Sequence, residues 1–147
     1  MSKVTAGDVC IRDVVVAFRT SVLDDAARTM RSRHVGCLVV VDETDDGSRV
    51  VAGLLTDRDI VTAVFTRDVL PSTLRVGDVM TPDVVTVRED DSLADVLATM
   101  QRRRVRRVPV TGAQQKLVGI VAADDLLRLL TEQLHALAQV LGDQVKV

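Results

Sequence analysis

The sequence predicts an α/β (α+β) fold in which two β-α-β-β-α repeats pack about a pseudo-twofold axis. Three observations predict it. Residues 7–41 match residues 77–111 at a constant offset of 70, so that Gly7, Asp8, Val9, Asp13, Val14, Val15, Leu23, Asp25, Thr29, Met30, Arg33, Val35 and Val40 recur as Gly77, Asp78, Val79, Asp83, Val84, Val85, Leu93, Asp95, Thr99, Met100, Arg103, Val105 and Val110. After a longer loop in the first copy, residues 42–49, the offset falls to 66, and residues 53–59 match residues 119–125. Within each copy, β-type and helix-period segments follow in the same order. Two copies of one supersecondary unit create clefts between their halves, and those clefts are where function is sought.

The elements follow in order. Each copy opens with a short extended segment, residues 14–17 and 84–87. Acidic and hydroxyl residues suited to capping a helix come next, in Ser21-Val22-Leu23-Asp24 and Ser92-Leu93-Ala94-Asp95. The helix carries an i, i+3, i+4, i+7 stripe, Leu23, Ala26, Ala27 and Met30 in one copy and Leu93, Val96, Leu97 and Met100 in the other. A buried-type strand (37–41, 108–111), a hairpin-like loop and a further strand (50–55, 117–121) lead to a second helix beginning at Asp57 or Ala123. The chain thus divides into repeat 1 (1–66), a connector (67–75), repeat 2 (76–132) and a C-terminal helical extension (133–147). In the last helix, Leu127, Leu130, Leu134, Leu137 and Leu141 fall at spacings of 3, 4, 3 and 4, an a/d heptad seam.

Composition limits the function. At 147 residues the chain buries a sizeable core without staples, and with no Trp, no Tyr and two Phe that core must be aliphatic. A net charge of −2 provides no global field toward nucleic acid or membrane. Cys10 and Cys37 form no CxxC pair and read as small core residues. The N-terminus lacks an apolar leader core, and no apolar run approaches the roughly 18 residues of a membrane span. A soluble, cytoplasmic protein is expected. No P-loop or GxSxG is present, and His34 and His135 lie in no metal or nucleophile motif, so no catalytic or metal residue is assigned. His34 reads as a surface or capping residue.

The strand-to-helix turn Gly53-Leu54-Leu55-Thr56-Asp57-Arg58-Asp59 has a chemical logic of its own. Gly permits the turn, Thr starts the helix, and an Asp follows one turn later. The helix N-terminus favours a phosphate, the hydroxyl can donate to it, and the carboxylate can accept from two vicinal ribose hydroxyls. Thr56-x-x-Asp59 is equally a capping box, worth about 1 kcal/mol and binding nothing.

Three segments together resemble cystathionine β-synthase (CBS) domains paired as a Bateman module. They are Val79-Met80-Thr81-Pro82-Asp83-Val84-Val85-Thr86-Val87, then Arg106-Arg107-Val108-Pro109-Val110, then the turn just described with its partner Gly119-Ile120-Val121-Ala122-Ala123-Asp124-Asp125. The resemblance implies a stand-alone regulatory module that requires no cofactor and binds an adenosyl ligand (AMP, ADP, ATP, NAD or S-adenosylmethionine) between its repeats. The primary site it implies combines Thr56, Arg58 and Asp59 with Thr81, Val84, Val85, Thr86, Arg106 and Arg107. A secondary site combines Asp125 with Ile11, Val14, Val15 and Val16. There Ala122 stands in place of Thr56 and Ile11 in place of Thr81, which costs two hydroxyls and roughly five- to 150-fold in affinity for a phosphorylated ligand. The resemblance also implies a homodimer and an unidentified regulated protein. Two other readings stay open: a ligand-independent dimerisation or interaction module, and a nucleic-acid binder using the Arg run at 102–107. The latter lacks aromatics for base stacking and sits in an acidic chain. Arg102, Arg103 and Arg104 read as a solvated helix end.

Overall fold

A computed structural model describes residues 4–142. The elements are α1 (Ala6–Val9), β1 (Val16–Phe18), α2 (Leu23–Arg33), β2 (Cys37–Glu43), β3 (Arg49–Thr56), α3 (Asp57–Arg67), α4 (Val76–Val79), β4 (Thr81–Pro82), β5 (Val87–Arg88), α5 (Leu93–Arg103), β6 (Arg107–Thr111), β7 (Leu117–Ala122) and α6 (Ala123–Gly142). The first sheet has the order β1-β2-β3-β4 and the second β5-β6-β7. In both, the first pair is parallel and the second antiparallel, and both antiparallel ladders carry a register shift at the same repeat position, Val40/Val41 and Val110/Thr111. None of the described helices is long and apolar enough to cross a membrane.

The longer helices and the strands they connect form where the apolar pattern places them, and α3 and α6 start at Asp57 and Ala123 as expected. The start of each is tied in the same way, by Asp57 N–H to the Gly36 carbonyl (3.0 Å) and Ala123 N–H to the Arg106 carbonyl (2.8 Å). His34 and Arg104 end α2 and α5 in the left-handed conformation, confirming His34 as a cap. Capping at the other ends differs between copies. Ser92 caps α5, its hydroxyl accepting from Asp95 N–H at 3.1 Å, but the residue before α2 is Val22, not Ser21, and offers no side-chain cap.

Three expectations need correction. The opening strands form two residues later in the first copy and three later in the second, at Val16 and Val87, because ladder pairing begins only where β2 and β6 run alongside (Val16 beside Val39, Val87 beside Val110). Residues 84–86 therefore stay outside regular strand. Gly53 and Gly119 do not serve the turn. A Cβ at Gly53 would collide with the Thr81 carbonyl oxygen, and one at Gly119 would lie 2.6 Å from the Ile11 carbonyl oxygen, so each glycine admits a crossing backbone. Cys10 and Cys37 are free and half-buried: Cys10 packs on the edge of the second core, and Cys37 joins neither core cluster among the described residues.

Those crossings reveal an exchange between copies. β4 of the second copy pairs with β3 of the first, while Ile11 of the first copy bridges Ile120 in β7 of the second. The short helices α1 and α4 follow the same rule. Ala6 is buried with Val87, Val96, Val108 and Leu126, and Val76 and Met80 are buried with Leu23, Leu38 and Leu55. Gly7 N–H donates to the Glu89 carbonyl and Gly77 N–H to the Arg19 carbonyl, both at 2.9 Å. Each repeat completes the core of the other, which fixes the cleft between them.

Candidate functional site

The site begins at the end of β3. Thr56, in extended conformation, caps α3: its Oγ1 accepts from Asp59 N–H at 3.1 Å, and Asp59 Oδ2 accepts from Thr56 N–H at 3.0 Å. The capping box therefore exists. It uses one lone pair of the hydroxyl and one carboxylate oxygen. The Thr56 hydroxyl proton and Asp59 Oδ1 have no partner among the described residues, so capping and ligand binding are compatible uses of the same pair.

Both side chains line a cleft of about 350 Å³, together with Leu54, Thr81, Asp83, Val84, Val85, Arg103, Val105 and Arg107. Each wall comes from a different copy. β3 and α3 supply Leu54, Thr56 and Asp59, the exchanged segment after α4 supplies Thr81 to Val85, and the α5–β6 junction supplies the rest. Asp83, following Pro82, holds a left-handed backbone (φ 50°) that turns the chain along the cleft; Asp13, its counterpart, is not in that conformation. The result is a polar, helix-capped end facing two guanidiniums, and an apolar stretch of valines beside it.

Six of the nine primary-site residues read from the sequence meet here: Thr56, Asp59, Thr81, Val84, Val85 and Arg107. The other three do not. Arg58 lies in a separate groove along α3 with Thr62, Thr66 and Arg67, which touches the cleft only through Asp59. Thr86 lines an adjoining polar groove with Val51, Ala52 and Gln115. Arg106 points away to an ion pair with Asp124 (3.2 Å) on the surface. Arg106 lies in the bend just before β6, which begins at Arg107. The Arg run is thus divided between a cleft, a surface ion pair and a helix cap instead of forming one basic patch.

Four lining residues escaped the sequence reading: Leu54, Asp83, Arg103 and Val105. The last three all recur between copies, as Asp13, Arg33 and Val35 do, and that recurrence was the signal that Arg103 is more than a solvated helix end. Among the described residues neither Arg103 nor Arg107 has a carboxylate within ion-pair distance, leaving both charges available to an anion.

None of the secondary-site residues lines this cleft. Ile11 exchanges backbone hydrogen bonds with Ile120 at 2.9 and 3.0 Å, Val16 sits in the β1–β2 ladder, and the Val15 carbonyl accepts from Val39 N–H. Val14 precedes the strand, and Asp125 lies 3.7 Å from Arg128. Asp13 and Arg33, the counterparts of Asp83 and Arg103, bind each other at 3.4 Å. Cys37 occupies the position that Arg107 holds in the other copy. Burial pushes its thiol up, against a partial downward pull from the nearby Arg107 charge.

The CBS domain family model matches this chain twice, over residues 6–66 and 76–132. The chain belongs to the CBS domain family. As a tandem CBS pair it is 32% identical to an uncharacterized protein of Methanopyrus kandleri over 88% of this chain and 64% of that one. It is 33% identical to Hypoxic response protein 1 of Mycobacterium tuberculosis over 92% of this chain and 90% of that protein. The crystal structure of Hypoxic Response Protein I, with two coordinated zinc ions, superposes with a TM-score of 0.71 over 84% of this chain and 97% of that one. Among the described residues here, no group of three or more His, Cys, Asp and Glu is placed to hold a metal. The structure of CBSX2 in complex with AMP, 28% identical, superposes with a TM-score of 0.73 over 87% of this chain and 96% of that chain.

Proposed function

We propose that this CBS pair is a regulatory sensor, not an enzyme, and that it binds an adenosine monophosphate-type ligand in the cleft between Asp59 and Arg107. One observation carries the reading: the cleft joins a helix-capping Thr/Asp pair from one copy to two carboxylate-free arginines and a valine stretch from the other. Asp59 Oδ1 accepts from the ribose hydroxyls. The Thr56 and Thr81 hydroxyls, with Arg103 and Arg107, take the phosphate, and Val84 and Val85 flank the base. The size fits, since a cleft of about 350 Å³ lies at the small end of the roughly 300–1,000 Å³ of ligand sites. The AMP complex of CBSX2 supports the same class. The counterpart site built on Asp125 and Ile11 is the weaker one, because it lacks both hydroxyls and its Arg33 is held by Asp13. Two free thiols, Cys10 and Cys37, suit the reducing cytoplasm.

Calorimetry with AMP, ADP, ATP, NAD, S-adenosylmethionine and adenosine tests this. A phosphorylated adenosyl ligand binds at least tenfold tighter than adenosine. At 100 times its dissociation constant it raises stability by about 2.7 kcal/mol in thermal denaturation. No binding by any member of the panel would leave the ligand-independent interaction module as the function.

A further inference from the structure

The cleft holds one carboxylate that neither the helix cap nor the ribose hydroxyls use. Its charged lining is Asp59, Asp83, Arg103 and Arg107, two of each sign. Asp59 belongs to the capping box of α3. Asp83 has no such duty: among the described residues its side chain accepts no hydrogen bond and has no cation within ion-pair distance. The Arg19 guanidinium is raised in pKa by its hydrogen bond to Asp42 at 2.8 Å and, beyond that, by the Asp83 charge, so this cation is already committed. The other copy shows what the same residues do when they meet. Asp13 and Arg33, at the matching positions, bind each other at 3.4 Å, whereas Asp83 and Arg103 stay apart. Asp83 holds a left-handed backbone (φ 50°) that Asp13 does not share, a conformation that aspartate and asparagine tolerate better than most residues. A carboxylate and a guanidinium are thus both left uncompensated in one cleft.

We propose, resting on the adenosyl reading of the cleft, that Asp83 limits how many phosphates the ligand carries and favours a nucleoside monophosphate over a triphosphate. A phosphate monoester brings about two negative charges, which Arg103 and Arg107 match one for one. Each further phosphate finds no third cation in the lining and meets the field of Asp83 instead. Arg58 lies in the separate groove along α3, and Arg106 is taken by Asp124. Size points the same way, since about 350 Å³ is at the small end of ligand sites. Two like charges about 8 Å apart in a wet cleft weaken binding by roughly two- to sixfold, so the two charges that ATP adds to AMP cost about tenfold in affinity. Asp83 is exposed, so salt screens the effect.

The test is calorimetry on the full chain with AMP and ATP, in EDTA so that no divalent cation masks the phosphates. Wild type is compared with Asp83→Asn, Asp83→Gly and Asp13→Asn, and thermal denaturation checks that each variant is folded. Asparagine keeps the shape and the left-handed backbone and removes only the charge; glycine keeps the backbone and removes the side chain. Wild type binds AMP at least tenfold tighter than ATP. Both Asp83 variants strengthen ATP about tenfold more than they strengthen AMP, and that gain shrinks as salt rises from about 0.05 M to about 0.5 M. Asp13→Asn leaves the ratio of the two affinities unchanged. Equal wild-type affinities for AMP and ATP, an unchanged ratio in the folded Asp83 variants, a gain insensitive to salt, or an equal change in Asp13→Asn would each overturn the role of Asp83 and leave the adenosyl reading in place. A wild type that binds neither nucleotide would overturn that reading, and the role of Asp83 with it.

Discussion

Replacing Asp59 by alanine removes the capping hydrogen bond of α3 and, on the proposed function, the acceptor for the ribose hydroxyls. Oδ2 accepts from Thr56 N–H at 3.0 Å and caps α3, while Oδ1 has no partner among the described residues and the side chain lines the cleft. Loss of the cap costs about 1 kcal/mol, which in a chain of this size lowers the melting temperature by roughly 2–5 °C. Loss of a charged acceptor for ribose hydroxyls costs about 1.5–3 kcal/mol of binding, or roughly tenfold to a hundredfold in affinity for AMP. Asp59→Asn separates the two effects. Its amide oxygen still accepts from Thr56 N–H and restores most of the melting temperature, whereas binding stays weak because the charge is gone. Asp125→Ala, in the other copy, leaves AMP affinity at the tighter site within about threefold of wild type. Calorimetry and thermal denaturation on the three variants decide the matter. Wild-type AMP affinity in a folded Asp59→Ala protein would show that Asp59 is a cap and nothing more, and stronger damage from Asp125→Ala would show that the wrong cleft was chosen as primary.

Arg107→Ala lowers AMP affinity by about tenfold and leaves adenosine unchanged, because a guanidinium serves only the phosphate; equal losses for both ligands by calorimetry would contradict that role. Gly53→Ala destabilises the fold by about 1–3 kcal/mol in denaturant titrations, since its methyl group meets the backbone of Thr81, which cannot rotate away. The pH dependence of stability reports on Cys37. Burial raises its folded-state pKa, so the stability of the neutral thiol is complete below the ordinary thiol range and is lost as pH rises through the raised value. Cys37→Ala therefore loses less melting temperature than wild type between about pH 8 and about pH 10, and parallel curves would refute the effect.

The sequence determined what is local or repeated. The stripes of Leu23, Ala26 and Met30 and of Leu93, Val96 and Met100 specified the helices, because a 3.6-residue period needs no distant partner to be read. The start of α3 at Asp57 was equally legible, since Thr56 and Asp59 satisfy each other's backbone groups across three residues. From the same repeat came the pseudo-twofold order, and from the resemblance to CBS domains came six residues of the cleft. Helices α1 and α4 stayed hidden, because four residues are too few to show a period and what holds them is burial against the other copy. The role of Gly53 and Gly119 stayed hidden too, since the backbone each admits lies far along the chain. Whether a residue of the Arg run enters the cleft depends on how the junction between α5 and β6 turns, which places Arg107 in the cleft and Arg106 beside Asp124. Only tertiary structure could decide those points: the exchange of β4 and Ile11 between copies places residues from both repeats on one cleft, and sequence distance carries no record of which side chains then face each other.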